Sequence, residues 1–272
     1  VTKWALAALC YLTLSVSGAW HALLFIFARD HRLISLWSQE AWSMGQWYAV
    51  AMLVIMLCHE YGHMVAVSRY HMQTTGPYFL PAPWPMTGTM GSFLRLHGAF
   101  PSREALVEVG AAGPLGGMVV IIPAVMLGLA WSVPAHLGSE PLIRRFGEPL
   151  LFQAFGIGGD VALHPLAVAG WFGCLLTSIN LLPFLYLDGG RIIQGLAPNL
   201  LEPLSVVVWL GCCLGVFLDD GGLSWLLLGI VLLAQFIYAG SPPPPAYLDP
   251  PSWRASVWAS LAAACAVLCW CP

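Results

Sequence analysis

The sequence predicts an all-α polytopic membrane protein of six or seven transmembrane helices, with a re-entrant loop or β-hairpin after the second. Three observations predict it. Of 272 residues, 59% are hydrophobic and only 8% are charged, where soluble domains carry about 25% charged residues. The apolar residues gather into runs of roughly the 20 residues a bilayer needs, separated by polar connections. One long stretch, His71–Arg103, holds Gly76, Pro77, Pro81, Pro83, Pro85, Gly88, Gly91 and Pro101; it is too dense in proline to be helical, yet it carries apolar segments.

Trp4–Ala28 is the first span. It is too long for the apolar core of a signal peptide and lacks a convincing cleavage site, so it is expected to be retained. His21, near its end, reads as an interfacial residue. Arg29–Gln46 is a polar connection with several Trp, as at a membrane interface. Trp47–Tyr70 is the second span. In the proline-rich stretch that follows, Pro77–Pro83 and Thr89–Leu96 are apolar or alternate like short strands. Non-helical backbone at membrane depth must be buried in protein or line a cavity, hence the re-entrant reading.

Ala105–Trp131 is the third span; Gly110-Ala111-Ala112-Gly113-Pro114-Leu115-Gly116-Gly117 allows close helix approach and a kink. Val133–Val161 reads as a loop with one short amphipathic helix. Leu163–Leu182 is the fourth span, broken at Pro183. Pro203–Leu218 and Leu223–Ala239 are the fifth and sixth. Ser241–Pro251 is Pro-rich and extended, and Ala255–Cys271 is a seventh candidate of about 17 residues, at the low end of what can span. No internal repeat is visible.

Net charge is -3 with one lysine and nine arginines, and no basic block points to nucleic acid. The eight cysteines form no C-x-x-C pair and lie almost all in apolar runs, so they read as small buried hydrophobes. With the first span starting inside, Lys3, Arg69, Arg95, Arg103, Arg191 and Arg254 fall on the cytoplasmic side, against Arg29, Arg32, Arg144 and Arg145 opposite. That orientation turns the C-terminal ends of the second and fourth spans toward the cytoplasm.

The second span contains His59-Glu60-Tyr61-Gly62-His63. In a helix the two histidines lie one turn apart on one face, where neutral imidazoles can take two corners of a tetrahedral zinc site. Glu60 can then reach a metal-bound water as general base. Ionisable residues inside a span face protein or a water-filled cavity and mark a functional site. A catalytic zinc needs a third protein ligand and an open position. Asp188 is the best candidate: it follows the break at Pro183, precedes Gly189-Gly190, and shares the membrane side of His63. Asp160, Asp219 and Asp220 fall on the opposite side, Glu104 and Glu108 read as helix-start residues, and His71 and His97 flank the re-entrant stretch.

His59-Glu60-x-x-His63, followed by Asn180-x-x-Pro183-x-x-x-Leu187-Asp188-Gly189, resembles the site-2 protease family of intramembrane zinc metalloproteases, over about Trp47–Pro198. Gly113-Pro114-Leu115-Gly116-Gly117 is similar to the family's third core helix. The resemblance implies one Zn2+ per chain bound by His59, His63 and Asp188, with Glu60 as catalytic base and Asn180 assisting near the scissile bond. The interval between the motifs is mostly apolar and leaves no room for a PDZ domain. Pro77–Pro83 and Gly88–Phe93 resemble the PDZ-less branch. Tyr186 stands where many relatives have Gln, which leaves the hydrogen bonding near Asp188 open.

On this reading residues 1–240 form an intramembrane metalloprotease domain with its core at 47–198. Residues 241–272 add the linker and a further C-terminal segment. The partners are a lipid bilayer and the spanning helix of a membrane-protein substrate, cleaved in regulated intramembrane proteolysis. The location implied is a bacterial inner membrane; the oligomeric state stays open. Gly76, Pro77, Gly88, Gly91 and Pro183 are the expected substrate-binding positions. The rival function is a transporter or channel with a zinc site, which would not need Glu60 between the histidines.

Overall fold

The computed structural model describes residues 2–82, 86–134, 147–156, 161–218, 222–239 and 250–270. Asp160, Asp219, Asp220, Cys271 and most of the Pro-rich linker lie outside them.

Helix α1 is Thr2–Asp30 and α2 is Gln39–Arg69. Helix α2 starts eight residues before the expected Trp47 because Ser38 caps it. The Ser38 side chain accepts the Ala41 amide at 3.2 Å, and Glu40 stands in the first turn, where the helix dipole favours a carboxylate. The residues read as the end of a polar connection are its first two turns.

Strands β1 (Gln73–Pro81) and β2 (Thr89–His97) form an antiparallel hairpin running from the Gln73–His97 pair to the Pro81–Thr89 pair. Met86, Thr87 and Gly88, just before β2, are held between α1 and α2. His21 Nε2 lies 2.7 Å from the Met86 carbonyl, the Tyr48 hydroxyl donates to the Thr87 carbonyl at 2.8 Å, and the Thr13 hydroxyl donates to the Gly88 carbonyl at 2.6 Å. Tyr48 precedes Arg69 by 21 residues, about 30 Å of helix, and a nine-residue strand is about as long. The hairpin therefore runs back beside α2 from that helix's C-terminal end. His21 is not interfacial: it is buried and meets a carbonyl that would otherwise cost several kcal/mol in hydrocarbon.

Helix α3 (Arg103–Ala130) is capped by Ser102 and stays continuous through Pro114 and Pro123. It touches α2 backbone to backbone. A Cβ on Gly62 would lie 2.1 Å from the Ala112 carbonyl oxygen, and one on Gly116 would lie 2.4 Å from that of Cys58. Small residues thus set the α2–α3 distance at the turn that carries the histidines. At the C-terminal end of α2 the Arg69 guanidinium and the Tyr70 hydroxyl both donate to Glu108, at 2.5 Å and 2.7 Å.

Two-residue strands β3 (Val133–Pro134) and β4 (Val161–Ala162) pair across the connection expected as a loop, and the short helix α4 is Leu150–Ala154. Helix α5 (Pro165–Asn180) has 16 residues, and every position from Pro165 to Cys174 is buried. It is shorter than the span expected at 163–182 because His164 and Pro165 start it and the turn at Leu181–Leu187 ends it. Wrapped by other helices, it is not required to match the bilayer.

Helix α6 is Asp188–Leu196, followed by a 3-10 turn at Pro198–Leu200, α7 (Leu201–Leu218), α8 (Gly222–Ala239) and α9 (Trp253–Cys269). Helix α3 sits centrally against α2, α5, α6 and α9. Among the described residues four helical stretches are long and apolar enough to cross a membrane: α1, α2, α3 and Pro198–Leu218. Helices α5 and α9 and the Trp225–Ala234 part of α8 are apolar but shorter. Cys10, Cys174, Cys212, Cys265 and Cys269 are buried, as expected of small hydrophobes.

Candidate metal centre

Helix α2 carries His59 and His63 one turn apart, and the first residue of α6 brings Asp188 to them. The two Nε2 atoms are 3.1 Å from each other, and each is 3.2 Å from Asp188 Oδ2. Three donors bound at roughly 2.0–2.2 Å to a tetrahedral ion stand about 3.4 Å apart. The triangle thus fits zinc with shifts of a few tenths of an ångström. Among the described residues these three are the one group of His, Cys, Asp and Glu side chains close enough to share an ion.

Neighbouring groups prepare two of the three donors. His63 Nδ1 is 2.8 Å from the Val109 carbonyl; that bond puts the proton on Nδ1 and leaves the Nε2 lone pair for a metal. Arg191 donates to Asp188 Oδ1 at 2.8 Å, which leaves Oδ2 facing the histidines. His63 and Asp188 are each 5% exposed. A carboxylate so deep needs cationic partners; Arg191 is one, and an ion held by the triangle would be a second.

Glycine makes the room. A Cβ on Gly113 would lie 2.1 Å from His63 Nε2 and 2.4 Å from its Cε1, so the ring itself would have to move. Gly113→Ala should therefore push the imidazole off the triangle and weaken zinc binding by at least about 10–100-fold, the range for disturbed second shells. Metal analysis of the purified variant checks this. Gly189 and Gly190 do not form a flexible link after Asp188. Both are helical, and Cβ atoms there would meet the Leu181 and Leu185 carbonyl oxygens at 2.2 Å. They let α6 close against the turn that Pro183 begins. Leu185 in that turn takes φ +30°, held by its own burial and by its N–H donating to Ser205 Oγ at 3.2 Å.

Glu60 is 2% exposed. Ser92 Oγ donates to its Oε1 at 2.7 Å, and its Oε2 is buried without a protein partner. Sequence reasoning did not single out Ser92, because nothing in a sequence gives the register of β2 against α2.

The other sequence candidates lie elsewhere. Glu108 is taken by Arg69 and Tyr70, and Glu104 accepts the Ser252 hydroxyl at 2.7 Å. His71 and His97 are exposed at the base of the hairpin. Asn180 is the last residue of α5, partly buried, and Pro183 lies in the turn between it and Asp188. Gly76 (φ +125°) and the cis-bonded Pro77 form the first bulge of the hairpin. Gly91 (φ +101°) follows the second bulge, with open space where a Cβ would stand. Gly88 is packed on the α1 backbone at Thr13 and Leu14.

Fold and site together define a helical, membrane-type chain with a candidate metal centre of two histidines and an aspartate beside a buried glutamate. The profile of Peptidase family M50 matches residues 47–207, more than half of the chain, and the chain belongs to that family. It is similar to "Probable zinc metalloprotease EGY1, chloroplastic" of Arabidopsis thaliana, 31% identical over 54% of this chain and 29% of that protein. It is similar also to "Probable zinc metalloprotease EGY2, chloroplastic" of Oryza sativa subsp. indica, 30% identical over 60% of this chain and 31% of that protein. A more distant relative is "Probable zinc metalloprotease EGY3, chloroplastic" of the same rice, 25% identical over 69% and 35%. The chain spans about a third of the length of these relatives. No solved structure matches it.

Proposed function

We propose that the chain is a zinc-dependent intramembrane endopeptidase that cleaves a membrane-protein substrate in its spanning segment, as in regulated intramembrane proteolysis. The observation that carries this is the triangle of His59, His63 and Asp188 beside Glu60, on a helix of spanning length in a chain of Peptidase family M50. His59, His63 and Asp188 would hold one Zn2+. A zinc ion held there would supply Lewis-acid activation of water and of a substrate carbonyl. Glu60 would accept the water's proton at Oε2, the oxygen left without a partner. Asn180 hydrogen-bonds the substrate backbone or the developing oxyanion, worth on the order of 3 kcal/mol in analogous sites.

A helical substrate has its carbonyls already bonded and must unwind before hydrolysis. The hairpin offers unwound chain an edge to pair with, through main-chain bonds near Gly76, Pro77 and Gly91. Gly88 and Pro183 act indirectly, by seating the hairpin turn and by aiming Asp188. Residues 1–240 are the protease domain, core 47–198, and α5, α8 and α9 join the four longer stretches to make six or seven spans. The membrane's identity is open: the named relatives are chloroplastic and lend no support to the bacterial inner membrane that the sequence suggested.

The test uses the full chain in proteoliposomes with single-span reporter segments. One zinc per chain, with cleavage abolished by a chelator, restored by zinc and absent from His59→Ala, is the expected result. A metal-loaded wild-type chain that transports zinc and cleaves no reporter would move the assignment to the transporter class.

A further inference from the structure

We propose that Ser92 is a positioning residue for Glu60, aimed at it by a β-bulge in the hairpin; this rests on the peptidase reading above. Glu60 has three side-chain torsions and no partner on its own helix. Among the described residues its one hydrogen bond comes from another element, through Ser92 Oγ at 2.7 Å. The other oxygen, Oε2, is buried and unpaired. A hydroxyl donating to a carboxylate makes a strong, directional bond, so Ser92 fixes which way the carboxylate plane turns and which oxygen is left to accept a proton.

The register of β2 shows how Ser92 comes to face α2. In a regular strand Thr89 and Ser92 point to opposite faces. Here Leu80 pairs with Gly91 and Pro81 with Thr89, so Met90 is an extra residue without a partner on β1. A bulge of this kind re-aims the side chains beyond it. Thr89 Oγ1 lies 3.6 Å from Met56 Sδ, and Ser92 meets Glu60. Met56 and Glu60 are four apart, on one face of α2. The bulge therefore lets both Thr89 and Ser92 look onto the same helix face. It is fastened by Thr89 Oγ1, which accepts the Gly91 amide at 3.0 Å and donates to the Leu80 carbonyl at 2.9 Å. Gly91 at φ +101° is the residue that can follow this path. The hairpin expected to hold substrate thus also sets the orientation of the base.

The experiment compares wild type, Ser92→Ala, Ser92→Thr and Glu60→Gln as full chains in proteoliposomes. It reads zinc content, unfolding temperature, reporter cleavage and the carboxylate stretching band assigned to Glu60 by infrared difference against Glu60→Gln. Ser92→Ala is expected to keep zinc and unfolding temperature, shift the Glu60 band, and lower kcat about tenfold with KM unchanged. Ser92→Thr, which keeps the hydroxyl, should restore both band and kcat. An unshifted band, a rise in KM alone, loss of zinc, or a threonine variant as slow as alanine would overturn the positioning role. Failure of the peptidase reading looks different: it shows in Glu60→Gln, which would then cleave as well as wild type.

Discussion

Glu60→Gln keeps zinc bound and the fold intact while kcat falls by about 10²–10⁴-fold, the contribution of a positioned general base. Glutamine is nearly isosteric, and its amide oxygen can still accept from Ser92 Oγ as Oε1 does now. What it loses is the ability to take a proton at the second position, where Oε2 stands buried and unpartnered. Because Glu60 is not one of the three converging donors, metal affinity should be nearly unchanged. Zinc analysis and cleavage of the same purified sample separate the two effects. Cleavage at the wild-type rate by a zinc-loaded Glu60→Gln chain would remove Glu60 from the reaction.

Much of this centre could be read from the sequence because the chain is so apolar. With 8% charged residues, each carboxylate inside or beside a span needs a reason, and few compete to complete a histidine pair. The spacing of His59 and His63 is local, and the break at Pro183 is covalent chemistry, so both survive into the structure. The hairpin was also legible, since proline excludes helix and alternation suggests strands. What was hidden depends on partners distant in sequence. The start of α2 was masked by Trp residues that suit an interface as well as a helix. The helical state of Gly189 and Gly190 comes from close packing on the Leu181–Leu187 turn, which no local propensity reveals. The seating of Met86, Thr87 and Gly88 is fixed by Thr13, His21 and Tyr48, whose roles emerge only once α1 and α2 are side by side. Ser92 depends on a single unpaired residue in β2, a shift that moves each side chain beyond it to the other face.

Asp188→Ala loses both zinc and activity. With the histidine pair alone, two protein donors remain where a catalytic zinc takes three. The loss should exceed the roughly 10–100-fold that disturbing an outer partner costs, so the purified variant should carry little metal. The substitution also strips Arg191 of the carboxylate it now meets at 2.8 Å. A companion, Asp188→Asn, keeps the size and an acceptor for Arg191 while removing the charge. It should fold as wild type and still bind zinc poorly, which separates a ligand's role from a structural one. Asp160→Ala and Asp219→Ala, on the opposite side in the expected topology, should change neither zinc nor cleavage. Wild-type zinc content in Asp188→Ala, or its loss in Asp160→Ala, would refute a site built from His59, His63 and Asp188. Retention would require another group to complete the triangle, and among the described residues Glu104 and Glu108 are already engaged elsewhere.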